Sequence, residues 1–289
     1  ALVWGVAFVA QSEGLNYVGA FTFNTCRFIL GGAVLIPCIY FLHGRKDSAW
    51  QTLSEKEKKE QTRMGIIGGI CCGCILCLAS CLQQFGIAQT TVGKAGFITT
   101  LYIIIVPFMG LFLKRKIGIN IWISAVIAAV GMYFLCITES FSIGAGDRLV
   151  LMCSVVFSVH ILVIDHFSPK ADGVVISCVQ FFTAGVIASV LMLLFEHPSV
   201  SAVIAAAAPI LYAGVMSCGV GYTLQVVAQN GVDPTVASLL LSLESVFSVL
   251  AGWMLLGQKL SGRELFGCVL VFAAVLLVQI PTEKLFHTA

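Results

Sequence analysis

The chain has 289 residues, of which 59% are hydrophobic and only 10% charged, and its mean hydropathy is +1.01. A soluble domain carries about 25% charged residues, and one water-facing globule of this size could not hide so much apolar surface, so the solvent is expected to be largely lipid. A net charge of +2, with the basic residues gathered in short clusters at the ends of apolar runs, excludes nucleic acid as a partner.

A spanning helix needs about 20 predominantly apolar residues. In chain order such runs occur at 1–14, 20–42, 65–87, 92–113, 118–137, 148–167, 172–195, 209–229, 235–256 and 263–280. They predict an all-α membrane protein with ten transmembrane helices. Stretches such as 120–137 are continuously apolar and lack the alternating polarity of a transmembrane barrel. The first run is short, begins without Met and has no cleavage site, so it is not read as a signal peptide and the native helix is expected to start upstream of Ala1. The polar segment 43–64, with its EKEKKEQTR stretch, reads as a short solvated cytoplasmic helix or linker.

Lys and Arg set the orientation. With the N-terminus inside, the cytoplasmic face holds Arg45, Lys46, Lys56, Lys58, Lys59, Arg63, Lys114, Arg115, Lys116, Lys170 and Lys284, whereas the outer loops hold only Arg148, Lys259 and Arg263. Both termini are therefore expected in the cytoplasm, with 281–289 as a tail.

The two halves are related in pattern. Thr91-Val92 and Thr235-Val236 each open an apolar span, followed by a turn and then by Ser124 and Gly131 in one half and Gly267 and Ala274 in the other. Trp4 and Arg27-Phe28 are matched, at one common interval, by Phe157 and Gln180-Phe181. Five spans is an odd number, so the second copy must enter the membrane with opposite topology. The expected architecture is two inverted five-helix repeats, 1–137 and 146–280, around a central cavity with the substrate site near the midplane.

Several polar residues lie inside the spans. Glu244 is the sharpest, since a buried carboxylate is expensive in lipid unless it faces a cavity or a partner. Its face carries Ala237, Leu241, Ser248 and Ala251, while Trp253 points the opposite way, towards lipid. It either takes part in transport, by contacting a cationic group or carrying a coupling proton, or bonds a neighbouring helix. Tyr222, Gln225 and Gln229 share one face of span eight, and Cys77, Ser80, Cys81 and Gln84 one face of span three, so both faces should look into the bundle. Trp4, Phe8 and Gln11 form a stripe in span one, and Phe157, His160 and Ile161 in span six. Aromatic walls with a carboxylate suit an amine or quaternary ammonium, although such stripes also arise from plain packing. His160 could shuttle protons or be a hydrogen-bonded packing residue. Arg27 needs a partner, for which Asn24 and Glu13 are candidates, and reads as structural or gating. Lys94 is an outer gate or a snorkelling anchor. The CCGCILCLASC run at 71–81, with one C-x-x-C at Cys74 and Cys77, lacks a second pair at zinc spacing and reads as helix packing, with no metal.

The ten spans, Trp4-Gly5, Arg27-Phe28, GKAGFITTLY (93–102) with Pro107, and DPTVASLLLSLES (233–245) followed by LLGQKL (255–260) resemble EamA-type members of the drug/metabolite transporter superfamily. Departures from the family pattern are Gln258 in the turn after span nine, Ala251 opposite Pro107, and Gln180 in place of a second Arg. The resemblance implies movement of small metabolites, amino acids or drugs across a bacterial cytoplasmic membrane, mostly outward, through a cavity lined by spans one to four and six to nine. The expected substrate contacts are Glu244, Tyr222, Gln225, Trp4, Gln11, Phe157, His160, Gln84 and Tyr102, and the coupling or gating groups Glu244, Lys94 and Arg27. The sequence holds no Walker loop, so transport is expected to be secondary, without a cofactor, by a monomer or homodimer in a lipid bilayer with protons or another ion as a coupling partner. The competing readings are an importer of a choline-like cation and an intramembrane thiol redox enzyme built on Cys74 and Cys77.

Overall fold

A computed structural model describes residues 1–45, 49–90, 92–115, 117–136, 143–256 and 261–278. Among the described residues all regular structure is helical. In chain order the elements are α1 (Leu2–Gly14), α2 (Ala20–Gly44), α3 (Ala49–Thr52), α4 (Glu55–Ile87), α5 (Val92–Thr99), α6 (Tyr102–Phe112), α7 (Ile119–Cys136), α8 (Ala145–Phe167) and α9 (Gly173–Phe195). They are followed by α10 (Val200–Ala205), α11 (Ala207–Leu211), a π-helical segment (Tyr212–Tyr222), α12 (Thr223–Ala228), α13 (Pro234–Leu241), α14 (Leu243–Leu256) and α15 (Gly262–Val278).

Local chemistry explains where several helices begin. Ser54 and Glu57 form a reciprocal capping box at the start of α4, and Ser261 and Glu264 form another at α15. Asp172 accepts the amides of Val174 and Val175 to cap α9, and Asp233 caps α13 ahead of Pro234. The capping box makes the EKEKKEQTR stretch the first turns of α4, a single helix of 33 residues, where a separate solvated helix or linker was expected.

Among the described residues six helical stretches are long and apolar enough to cross a membrane: Ala20–Gly44, Glu55–Ile87, Lys94–Phe112, Ala145–Phe167, Gly173–Phe195 and Ala207–Ala228. Ile119–Phe134 and Pro234–Phe247 are shorter apolar helices, and α1 and α15 have 13 and 17 residues. Large apolar side chains such as Tyr40, Phe112, Leu193, Phe195 and Leu276 are mostly exposed, as expected of a protein whose solvent is hydrocarbon.

The chain forms two compact units, each assembled from segments distant in sequence. The first comprises Ala1–Ser12, Leu82–Ile161 and the chain from Asp233 onward. Here α7 lies along α15, and Gly131 permits the approach: a Cβ there would stand 2.9 Å from the Gly267 carbonyl oxygen. The second comprises Glu13–Cys81 and Leu162–Val232. Its α2 packs on α9 and on the π-helical segment, and Gly73 of α4 sits against the Gln180 carbonyl with no room for a Cβ. Cys72, Ile164, Ile176 and Val226 form part of its core.

Candidate functional site

The first unit contains two interrupted spans. Lys94–Phe112 is divided into α5 and α6 at Thr100-Leu101, and the stretch from Pro234 to Leu256 into α13 and α14 at Ser242; α5 and α13 have eight residues each. At the first break the Thr100 hydroxyl turns back to the carbonyls of Gly96 and Phe97, each at 3.0 Å. At the second the Ser242 hydroxyl donates to the Leu239 carbonyl at 2.7 Å. Such back-bonding competes with the regular ladder and bends helices. α6 packs on α13 and α14 on α5, so the two breaks lie against each other.

The candidate site is at this crossing. Tyr102 is the first residue of α6, and its hydroxyl donates to Glu244 Oε1 at 3.0 Å. Glu244 lies in the first turn of α14 and is 4% exposed. Both residues thus stand just after a break, where short bonds, from the Ile103 amide to the Thr100 carbonyl and from the Ser245 amide to the Ser242 carbonyl, each at 3.1 Å, tighten the backbone. Trp253, farther along α14, is half-exposed. The side chains of Ser248 and Ala251, on the predicted Glu244 face, lie outside the described residues, as do Lys46, Lys116, Gln258, Lys259, Lys284 and the tail 281–289.

Other predicted residues fall in the same unit. Gln84 donates from Nε2 to the Gln11 carbonyl at 3.1 Å, and both glutamines keep a buried Oε1 without a hydrogen bond among the described residues. Phe157 meets the His160 ring edge-on at 6.3 Å, both buried, and Trp4 is half-buried. Lys94 is ion-paired: its Nζ lies 2.7 Å from Asp147 Oδ2, while the other carboxylate oxygen takes the Thr90 hydroxyl at 2.5 Å. Asp147 is 3% exposed and also accepts the Gly144 amide. Sequence reasoning passed over it, although an acid in the first turn of a long apolar helix is a recognisable signal.

The second unit holds Arg27, Tyr222 and Gln225. Tyr222 ends the π-helical segment, a geometry frequent at functional sites, and its ring meets Phe181 at 6.1 Å. Gln225 donates to Gln229 at 2.9 Å and keeps a buried Oε1 without a donor among the described residues. Arg27 is 2% exposed, with its guanidinium 4.8 Å from the Phe28 ring and 5.8 Å from the Phe23 ring. Among the described residues its Nε and Nη2 have no acceptor and it makes no ion pair.

Neither expected partner serves Arg27. Glu13 is exposed and engaged by Asn16 and by the Tyr17 hydroxyl at 3.1 Å, a bond that holds the Tyr17 phenol above its ordinary range. Asn24 gives its amide to Cys81 Sγ at 3.6 Å, leaving Oδ1 without a donor. Leaving a buried charge unpaired costs several kcal/mol, and cation–π contact returns about 2 kcal/mol.

Glu196 was also missed. From the end of α9 it accepts the amides of Phe21 and Thr22 at 2.9 and 2.7 Å and the Thr22 hydroxyl at 2.6 Å, capping α2. No local signal could reveal this, because its partners are 174 and 175 residues away. In the C-x-x-C pair, Cys74 is exposed and Cys77 buried, and both are free thiols.

The profile of the EamA-like transporter family matches residues 1–137 and again 144–280. The chain belongs to the EamA-like transporter family. An uncharacterized transporter of Archaeoglobus fulgidus is 28% identical to it over 281 residues, spanning 97% of this chain and 83% of that one. The uncharacterized transporter YoaV of Bacillus subtilis is 21% identical over 281 residues, spanning 96% and 92%. A crystal structure, 18% identical, shares the fold with a TM-score of 0.73 over 99% of this chain and 98% of that one. This EamA-like transporter is thus a multi-pass membrane protein. Each compact unit draws helices from both matched segments, and the Tyr102–Glu244 bond joins one segment to the other.

Proposed function

We propose that this EamA-like transporter is a secondary exporter of a small polar metabolite, amino-acid-like or a cationic amine, working by alternating access in the bacterial cytoplasmic membrane with both termini inside. Its architecture in this reading is ten spans in two inverted repeats, 1–137 and 146–280, functioning as a monomer or homodimer. It is not an enzyme, and Cys74 and Cys77 serve packing.

The observation that carries the reading is the buried Glu244, held by Tyr102 where two interrupted helices cross. Interrupted spans are where secondary transporters expose backbone groups to substrate and ions. An intramembrane carboxylate there has two uses: it receives an ammonium group or it carries a coupling proton. An incoming ammonium would displace the Tyr102 hydroxyl and take its place. In the same unit Trp4, Gln11, Gln84, Phe157 and His160 are assigned to substrate contact, and Lys94, released from Asp147, to gating. Tyr222 and Gln225 are assigned to substrate contact in the second unit.

The test is a thermal-shift screen of the purified protein against amino acids, polyamines, quaternary amines and nucleobases, repeated on Glu244→Gln, followed by counterflow of the hits in proteoliposomes. A ligand that stabilises the native protein, fails to stabilise the variant and exchanges across the membrane supports the assignment. Equal stabilisation of both proteins removes Glu244 from the substrate site, and absence of any flux overturns the transporter reading for this ligand class.

A further inference from the structure

Within the second unit, the unpartnered donors of Arg27 have a particular geometry. Nε and Nη2 carry the two parallel N–H bonds along one edge of the guanidinium, the fork that matches the two oxygens of a carboxylate. The acids of this unit whose contacts are described point elsewhere. Glu13 serves Asn16 and Tyr17, Glu55 Lys58, Glu57 Ser54, Asp172 the start of α9 and His43, and Glu196 the start of α2. One helical turn before Arg27, Asn24 has the opposite deficit, a buried Oδ1 with no donor. A free donor edge and a free acceptor on one helix face, neither satisfying the other, call for a ligand that carries both complements.

We infer that Arg27 binds the carboxylate of the transported metabolite, with Asn24 Oδ1 accepting from an N–H or O–H group beside it, so that the substrate is an amino or hydroxy acid. This rests on the transporter reading and narrows its substrate class. The Phe28–Phe181 stack at 6.3 Å and the Phe181–Tyr222 contact at 6.1 Å place an aromatic row beside the guanidinium. Of these rings Phe28 lies against the guanidinium, and the faces of the row suit the apolar part of such a ligand. An unpaired charge kept in an apolar protein lowers the stability of the empty state, and a carboxylate restores it only on binding.

The experiment compares, on the purified full chain, each proteinogenic amino acid with its carboxamide, its decarboxylated amine and its des-amino acid, by thermal shift and titration calorimetry. At least one free acid is expected to stabilise the protein, with the carboxamide and the amine binding about tenfold or more weaker. Arg27→Lys, which keeps the charge but loses the planar fork, should weaken the acid by a similar factor. Arg27→Met should abolish its binding while melting, without ligand, at or above the native temperature. The inference is overturned if carboxamides or amines bind as well as acids, if no acid stabilises the native protein, or if Arg27→Met binds the acid normally. It also fails if empty Arg27→Met melts below the native protein, since the charge would then be structural. Should Arg27→Met not fold, the acid-to-carboxamide ratio on the native protein and Arg27→Lys decide alone. An amine that binds through Glu244 and is indifferent to Arg27 sinks this inference and leaves the transporter reading standing, whereas absence of proteoliposome flux for every bound ligand sinks the transporter reading itself.

Discussion

Asp147 and Lys94 illustrate what a pair of residues decides. The carboxylate is buried and the ammonium partly so, with Thr90 and the Gly144 amide completing the group. Removing one partner strands the other, so Lys94→Met should destabilise the protein by about 2 kcal/mol, less than a fully buried pair because the ammonium is partly solvated. The double variant Lys94→Met/Asp147→Leu should recover part of that loss, and thermal or chemical unfolding in detergent measures both. Glu196 acts at the same scale, supplying a cap that Gly19 cannot. Glu196→Ala should cost about 1–2 kcal/mol, and Glu196→Gln less, because an amide oxygen still accepts from the α2 amides. Gly19→Ala should resemble Glu196→Ala, since its Cβ would fall 2.3 Å from the carboxyl carbon of Glu196. Arg27 was legible in the sequence as a charge needing a partner. That it lacks one was not, because Glu13 is spent on Asn16 and Tyr17, and Asn24 is turned by its amide bond to Cys81 so that its Oδ1 does not meet Arg27.

At the scale of elements, hydropathy located the apolar runs but not the breaks within them. Residues 92–113 and 235–256 read as two continuous spans, yet each is cut after eight residues. Serine and threonine hydroxyls bond backbone carbonyls at both breaks, but Ser158 and Ser189 do the same inside unbroken α8 and α9, so neither hydropathy nor a hydroxyl marks a break in the sequence. Ser242→Ala removes the bond to Leu239. It should straighten the span and lower flux by about tenfold through misplacement of Glu244, while leaving the melting temperature within about 2 °C. Reduced stability with normal flux would show that the break is merely structural. Gly131→Leu tests packing between α7 and α15: with Gly267 backbone 2.9 Å from the new Cβ, overpacking should cost about 1–3 kcal/mol. The start of α4 shows the reverse error. Polarity changes near residue 65, but a change of polarity does not end a helix, and no breaker separates Arg63 from the apolar run.

For the whole molecule, the balance of basic residues makes a prediction that needs no atomic contact. A reporter fused after Ala289, or inserted in the 43–64 segment, should score as cytoplasmic, and one inserted near Gly144 as external. The opposite pattern would reverse the direction assigned to transport. The two matched segments, 1–137 and 144–280, differ from the two compact units, each of which takes helices from both. Repetition along the chain therefore does not mark how the chain is partitioned in space.

Composition, the run lengths and the motifs shared with the EamA-like transporters determined by themselves that this chain lives in lipid, is built of helices and belongs among transporters. These are sums along the chain, in which each residue contributes whatever its neighbours do in space. Only the tertiary structure decided which polar groups meet. Tyr102 and Glu244 are 142 residues apart, Lys94 and Asp147 53, and Thr22 and Glu196 174. In hydrocarbon an unpaired polar group is costly, so a residue's role follows from its partner, and partnership across such distances is a property of the folded chain alone.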